Sequence, residues 1–301
     1  MTNVHFDPDL SDDERRRRLY AGDILVSSPR PAALALCALA RELLDGALGD
    51  GDPRTAQHRL SVPEFAAIMA ELKPRFIHHP RAKELLQQLL GEFGCDPEQT
   101  YFDVPRLRSS TSDGYLTTGI AYAWHPHRDT WYSAPACQLN WWMPVYELAH
   151  DNAMAFHPRY WNVAVANDSR VYDYAEWNRS FRFAAAQHTK EDPRPLPRAT
   201  EAVELEPQVR LLPPVGGMIQ FSAAQLHSSV PNTSGVTRYS IDFRTVHRGD
   251  AEAFAGAPNA DAACSGTTMG DYLRATDLAH LPDETIAAYE RRAVPGAAIL
   301  G

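Results

Sequence analysis

The texture of the chain changes once, near Tyr101, and that change limits what it can fold into. Before it, apolar residues recur at helical spacing. Leu34, Leu36, Leu39, Leu43 and Leu44 do so within 31–48, and Leu85, Leu86, Leu89 and Leu90 within 81–93, ahead of Gly94 as a helix stop. Ser11-Asp-Asp-Glu14 and Ser61-Val-Pro-Glu64 are capping-box patterns that open helices. After it, short segments rich in β-branched and aromatic residues alternate with Pro, Gly, Asn and Asp. They fall at 115–124, 138–145, 153–157, 209–212, 218–222 and 237–246. A helix is expected at 171–188 with Asp168 as its cap, and helical character returns at 268–275 and 283–292. Many short strands behind a helical stretch predict a mainly β fold with α, an antiparallel sandwich or barrel with a helical N-terminal buttress. No internal repeat or linker breaks the pattern. The reading is one domain over 1–301: 1–100 mostly helical, 101–250 the barrel core, 251–301 a helical tail.

Composition removes several function classes. Hydrophobic residues make up 44% and charged residues 22%, which suits a packed core and not a disordered polymer. The formal net charge of −9 opposes general nucleic-acid binding, which needs a cationic surface. No run approaches the roughly 20 apolar residues of a membrane span. The polar N-terminus has no apolar segment behind Arg15–Arg18, so no signal peptide is visible. Cys37, Cys95, Cys137 and Cys264 are widely spaced, without C-x-x-C, so a reducing cytoplasm is expected. The oligomeric state leaves no mark on the sequence.

The chemistry-bearing residues cluster in two places. Tyr122-Ala-Trp-His125-Pro-His127-Arg-Asp129-Thr-Trp-Tyr132 is the densest polar and aromatic stretch. In extended chain, His127 and Asp129 point to one face. The spacing alone is weak, because His5-Phe6-Asp7 repeats it at the N-terminus, where it reads as tail. A distant histidine gives it meaning. The segment 213–238 runs from a Gly-Gly turn through Met-Ile-Gln-Phe to His227-Ser-Ser229, then a Pro-Asn-Thr-Ser-Gly turn, then Arg238. Two histidines and one carboxylate form a face that leaves three positions of an octahedral Fe(II) open. From Arg238 the residues alternate. Arg238, Ser240, Asp242 and Arg244 share one face, and Tyr239, Ile241 and Phe243 the other. Four polar groups on one strand face meet water, one another or a functional cavity.

This order of motifs resembles the Fe(II)/2-oxoglutarate-dependent oxygenases, and within them the phytanoyl-CoA dioxygenase-like small-molecule hydroxylases. The resemblance covers about 100–247. It implies a double-stranded β-helix, a jelly-roll or cupin-like barrel. It implies iron on His127, Asp129 and His227, and 2-oxoglutarate held by Arg238 with help from Ser229. Gln138 and Arg244 are further cosubstrate candidates, Arg244 being the reserve anchor. Asn152 resembles the family's Asn-Gly segment, but the Pro-Gly-Ser-His that follows there is replaced by His157-Pro-Arg-Tyr160. The implied reaction consumes O2 and 2-oxoglutarate, gives succinate and carbon dioxide, and oxidises an unactivated C–H bond. Asp129 fills the place that halogenating relatives leave to chloride, which favours hydroxylation or oxidative rearrangement.

Asn140 and Trp142 alternate with Gln138 on one strand and are candidate pocket residues. Arg106, Arg108 and Arg128 are candidates for a substrate carboxylate. The expected substrate is a small molecule, an amino acid or a natural-product intermediate. Three other readings stay open. Gly119-x5-His125-x-His127 matches the opening of a cupin metal motif, although Trp131 and Tyr132 stand where its glutamate belongs. A non-catalytic jelly-roll binding protein requires the triad to be coincidence. Arg238-x5-Arg244 has the spacing of alkylation-repair dioxygenases, against which the acidic charge speaks.

Overall fold

The computed structural model describes residues 2–117, 125–182 and 194–292. Strands β1 (Val4–Phe6) and β2 (Ile24–Ser27) flank helix α1 (Asp12–Tyr20). Then come α2 (Pro31–Leu48), α3 (Val62–Ile77) and α4 (Pro80–Glu92). Strands β3 (Thr100–Phe102), β4 (Arg106–Ser110), β5 (Leu139–Pro144) and β6 (Met154–Phe156) lead to a short helix α5 (Tyr174–Ser180). Strands β7 (Val209–Leu211), β8 (Met218–Ser222), β9 (His227–Ser229) and β10 (Arg238–His247) follow, then α6 (Arg248–Glu252), β11 (Leu273–Arg274) and α7 (Asp283–Arg292). No helix among the described residues is long and apolar enough to cross a membrane.

The strands form two sheets. The larger runs β1-β2-β8-β5-β10-β3-β11, with β4 also paired to β10, and the smaller runs β7-β6-β9. Among the described strands, the pairings are antiparallel except β1 with β2. The result is a mixed fold of sheets and helices. Adjacent residues on a strand face opposite ways, and the sequence uses this. Trp141, Met143, Tyr239, Ile241 and Phe243 pack outward against the helices, with Leu36, Leu44, Phe65, Phe76, Leu86 and Leu89 fully buried among them. Each such side chain contributes about 1.5–3 kcal/mol. Trp142, Ile219, Phe221, Ile24 and Val26 face inward and meet Met154, Phe156 and Leu211 of the smaller sheet. The gap between the sheets is therefore apolar over part of its area. The inner face of β10 and β4 supplies the polar remainder.

The helical reading of the first hundred residues holds for α1–α4. In α1, the Glu14 amide donates to Ser11 Oγ (3.3 Å) and the Ser11 amide donates back to the Glu14 carboxylate (3.1 Å). In α3, the Ser61 amide donates to Glu64 Oε2 (2.9 Å). Two strands were not foreseen there. Ile24–Ser27 is a short, fully buried apolar run, which periodicity cannot tell from a helix segment. It lies inside the larger sheet against β8. His5 belongs to β1, not to a loose tail, and its Nε2 lies 2.9 Å from Asp23 Oδ2. The helix expected at 171–188 is the seven-residue α5, capped by Asp173 and not Asp168. The end of that expectation, from 183, lies outside the described residues, as do 118–124 of the strand expected at 115–124. In the tail, 268–275 is a single 3-10 turn followed by β11, whereas 283–292 is α7 as expected.

Glycine is required at the turn into β8. Gly216 has φ +77°, and a Cβ there would lie 2.6 Å from Leu34 of α2. A Cβ on Gly217 would lie 2.9 Å from the Ser27 carbonyl of β2. The pair lets α2 and β2 close on the strand that leads to His227.

Candidate metal centre

His127 enters the site on an extended residue pair. Arg128 has φ −111° and ψ 142°, and Asp129 then opens a 3-10 turn. This geometry points His127 and Asp129 one way and Arg128 the other. His227 opens β9. Its amide donates to the His127 carbonyl and the His127 amide donates back, both at 3.0 Å. The two histidine backbones are thus locked side by side, and their rings lie 4.4 Å apart between centroids. One ligand atom from each of His127, Asp129 and His227 lies within 4.8 Å of the others.

Both imidazoles are presented for coordination. His127 Nδ1 donates to the His125 carbonyl (2.7 Å) and His227 Nδ1 to the Gln225 carbonyl (3.0 Å). A nitrogen that donates carries the proton, so each Nε2 presents a lone pair. These nitrogens lie 3.5 and 3.9 Å from Asp129 Oδ1. Burial, reinforced by His127, pushes the His227 imidazole down to about 3, so it stays neutral. Burial alone would raise the Asp129 carboxyl. His127 beside it and the charge of Arg244 outweigh burial and hold it well below the usual carboxylate range. A neutral His227 nitrogen and an ionised Asp129 oxygen suit a divalent transition ion.

Asp129 presents only one oxygen. Its Oδ2 accepts from Asn140 Nδ2 (2.9 Å) and Gln138 Nε2 (3.2 Å), with Arg244 Nε at 3.8 Å. Gln138 and Asn140, expected to line the pocket for cosubstrate and substrate, are turned on this carboxylate instead. Phe156 and Phe221 pack around the His227 ring, and Tyr132 stands edge-on to His127.

Arg238 reaches from the larger sheet to the smaller. Its Nη2 donates to Ser229 Oγ (3.2 Å) and its Nη1 to the Asn152 carbonyl (3.1 Å). Its Nε is buried without a partner, and the guanidinium carbon lies 5.5 Å from the centre of the Trp142 ring. Trp142 is thus both inter-sheet core and a platform for Arg238. Burial pushes the Arg238 guanidinium down to about 10. Among the described residues, no carboxylate lies within ion-pair distance of it. Arg244 differs. It lies 3.3 Å from both Asp103 and Asp242, besides Asp129, so its charge is already spent.

The three arginines expected near a substrate carboxylate also have acidic partners within the protein. Arg106 pairs with Asp103, and Arg108 with Asp242 at 2.7 Å. Arg128, placed by the sequence reading among substrate contacts, is 1% exposed and donates to Asp261, Ala224, Tyr160 and Val163. It is a strut inside the protein. The parity of an H-x-D segment could have shown that Arg128 faces away from the site. His125 offers the centre its carbonyl and its ring is outside the cluster, which disfavours the cupin assignment. Gly119 of that motif lies outside the described residues. Asp261 and Tyr272, which touch this network, were missed, and no motif surrounds either.

No protein-family profile matches the chain, and no curated protein matches it in sequence. Solved structures that resemble it include a non-heme α-ketoglutarate-dependent epimerase, a non-heme monooxygenase and a protein solved with 2-oxoglutarate. EvdO2 from Micromonospora carbonacea var. aurantiaca, also solved with 2-oxoglutarate, is 13% identical with a TM-score of 0.35. That match covers 58% of this chain and 62% of EvdO2, so the chain spans less than two thirds of that protein's length. SnoN, an α-ketoglutarate-dependent epimerase from nogalamycin biosynthesis, is 16% identical over 78% of this chain and 84% of its own, with a TM-score of 0.36. AviO1 from Streptomyces viridochromogenes Tue57 is 13% identical over 78% and 91%, with a TM-score of 0.37. These likenesses are loose, and the chemistry of the site rests on its own residues.

Proposed function

We propose that the protein is an Fe(II)- and 2-oxoglutarate-dependent oxygenase, a double-stranded β-helix in one domain, of the phytanoyl-CoA dioxygenase-like group. It acts in the cytoplasm on a small molecule, an amino acid or natural-product intermediate, by hydroxylation or oxidative rearrangement. Neither nucleic acid nor membrane is its partner. The observation that carries this reading is the pairing of two features. A two-histidine, one-carboxylate face brings three ligand atoms within 4.8 Å of one another. A buried arginine, with no carboxylate within ion-pair distance among the described residues, reaches Ser229 on the strand that carries His227.

The residues fit both groups. His127 Nε2, His227 Nε2 and Asp129 Oδ1 would hold the metal. With 2-oxoglutarate and O2, bound Fe(II) supplies an oxidant strong enough for an unactivated C–H bond. Arg238 would pair with the far carboxylate of the cosubstrate, since a buried cation gains most from an anion it does not yet have. Ser229 accepts from Arg238, which leaves its own O–H to donate to that carboxylate. Ser229 and His227 lie two residues apart on β9, so about 7 Å of strand separates anchor from metal ligand. Phe156 and Phe221 exclude water around His227. Gln138 and Asn140 keep Asp129 turned so that Oδ1 alone faces the histidines.

Anaerobic titration with Fe(II) and 2-oxoglutarate tests the reading. The expected result is a weak visible charge-transfer band that requires both components and disappears in Asp129→Ala. A wild-type protein that gives no band refutes it. Turnover of 2-oxoglutarate screened against free amino acids and their derivatives tests the substrate class. Stimulation only by acyl-CoA or peptide substrates would exclude that class.

A further inference from the structure

We infer that the segment between α6 and β11, residues 257–272, positions the metal ligands through two buried residues, Tyr272 and Asp261. The inference rests on the metal reading above, but concerns residues that no motif marks.

Tyr272 precedes β11, and Leu273 pairs with Phe102 of β3, which fixes the tyrosine at the sheet. It is 1% exposed, and its hydroxyl donates to Gln138 Oε1 at 2.6 Å. The direction of each bond from there is forced. An ionised carboxylate only accepts, so Asp129 Oδ2 requires the amide N–H groups of Gln138 and Asn140. Gln138 Nε2 donates as well to Asn140 Oδ1 (2.8 Å), which turns Asn140 Nδ2 to Asp129. Gln138 Oε1 then faces away from the site and needs a donor, which Tyr272 supplies. Without the hydroxyl, Gln138 Oε1 is left buried without its donor, and only the two Nε2 bonds to Asp129 and Asn140 still hold the amide against rotation. Tyr272 therefore helps to hold the arrangement in which Oδ2 is saturated and Oδ1 faces the histidines.

Asp261 acts on the other side of the ligand pair. Its side chain is 4% exposed. It accepts from Arg128 Nε (3.0 Å), Trp131 Nε1 (2.6 Å) and the Val165 amide (2.9 Å). Arg128 stands between His127 and Asp129 and also donates to the Ala224 carbonyl, three residues before His227. One buried ion pair thus ties both ligand-bearing segments to a common point. Both members are also hydrogen-bonded to the surrounding backbone, so this pair fixes a spacing more than it adds stability.

Metal binding by purified full-length protein tests the inference, with Co(II) as probe and no 2-oxoglutarate present. Partners that orient metal ligands typically change affinity 10- to 100-fold when removed. Tyr272→Phe loses a single hydroxyl and is expected to raise the Co(II) dissociation constant by roughly tenfold or more, with altered visible d–d bands. Asp261→Asn is expected to do the same. Leu86→Ala, in the helical layer, lowers stability at a distance and is expected to leave affinity and bands unchanged. If Tyr272→Phe melts at a lower temperature yet binds Co(II) with wild-type affinity and bands, Tyr272 serves only the fold and the inference fails. The proposed function would survive that result. If the wild type binds no divalent metal, both fall.

Discussion

Arg238 and Arg244 stand on the same inward face of β10, and they meet opposite surroundings. Arg244 sits among Asp103, Asp129 and Asp242, all within 3.8 Å. Burial alone would depress its guanidinium, but these carboxylates outweigh burial and raise it. Arg238 has two carbonyls and a hydroxyl, an unpartnered Nε and a tryptophan face. Burial there outweighs the more distant charge of Asp242, and the guanidinium is depressed. The difference separates a structural arginine from a ligand-seeking one. A buried cation with its anions in place is part of the fold, whereas one without an anion is costly until a ligand provides it. The two are indistinguishable by spacing, since both lie on one alternating face.

The comparison breaks if substitution does not separate the two residues. Arg238→Ala is expected to show the largest effect, on 2-oxoglutarate binding. Removing one member of a buried charge pair costs about 2–5 kcal/mol, or about 30- to 5,000-fold in the dissociation constant. Thermal stability should hardly fall, because a cation without a counter-ion leaves the interior. Titration followed by tryptophan fluorescence, beside a melting curve, measures both. Unchanged affinity would remove Arg238 from the anchor role. Arg244→Met should do the reverse. It leaves Asp103 and Asp242 facing one another with less compensation, and is expected to cost about 3 kcal/mol in urea denaturation. Its 2-oxoglutarate affinity at saturating metal should match wild type.

The same contrast explains what could be read from the sequence. The two faces of β10 were legible because their environments differ so sharply that Tyr239, Ile241 and Phe243 had to alternate with charge. The triad was legible because His127, Asp129 and His227 combine residue type, spacing and flanking turns. Arg128 was misplaced because its exposure was inferred from its neighbours, although strand parity points it away from them. β2 was missed because three apolar residues and a serine between two helices carry no periodicity of their own. Tyr272 and Asp261 act across sequence separations of more than 130 residues. Only the folded chain brings such residues together, and nothing local requires a tyrosine or aspartate at either place.

The smallest expected effect sharpens the contrast through pH. Burial alone would raise the Asp242 carboxyl, but Arg108 and Arg244 outweigh it, with Arg106 adding to them, and hold it below its ordinary value. A carboxyl lowered on folding binds its proton first in the unfolded chain. Its contribution to stability is present above the ordinary carboxylate range and is lost as pH falls through that range toward the folded value. Asp242→Asn should therefore be less stable than wild type near neutrality, and the gap should narrow below about pH 4. Among the described residues no carboxylate lies within ion-pair distance of Arg238, so Arg238→Ala should change the acid limb less than Asp242→Asn does. Urea midpoints measured from neutral pH to pH 3 decide the matter. A constant gap for Asp242→Asn would mean that its charge is not coupled to Arg108 and Arg244, and that the paired end of β10 is held by packing alone.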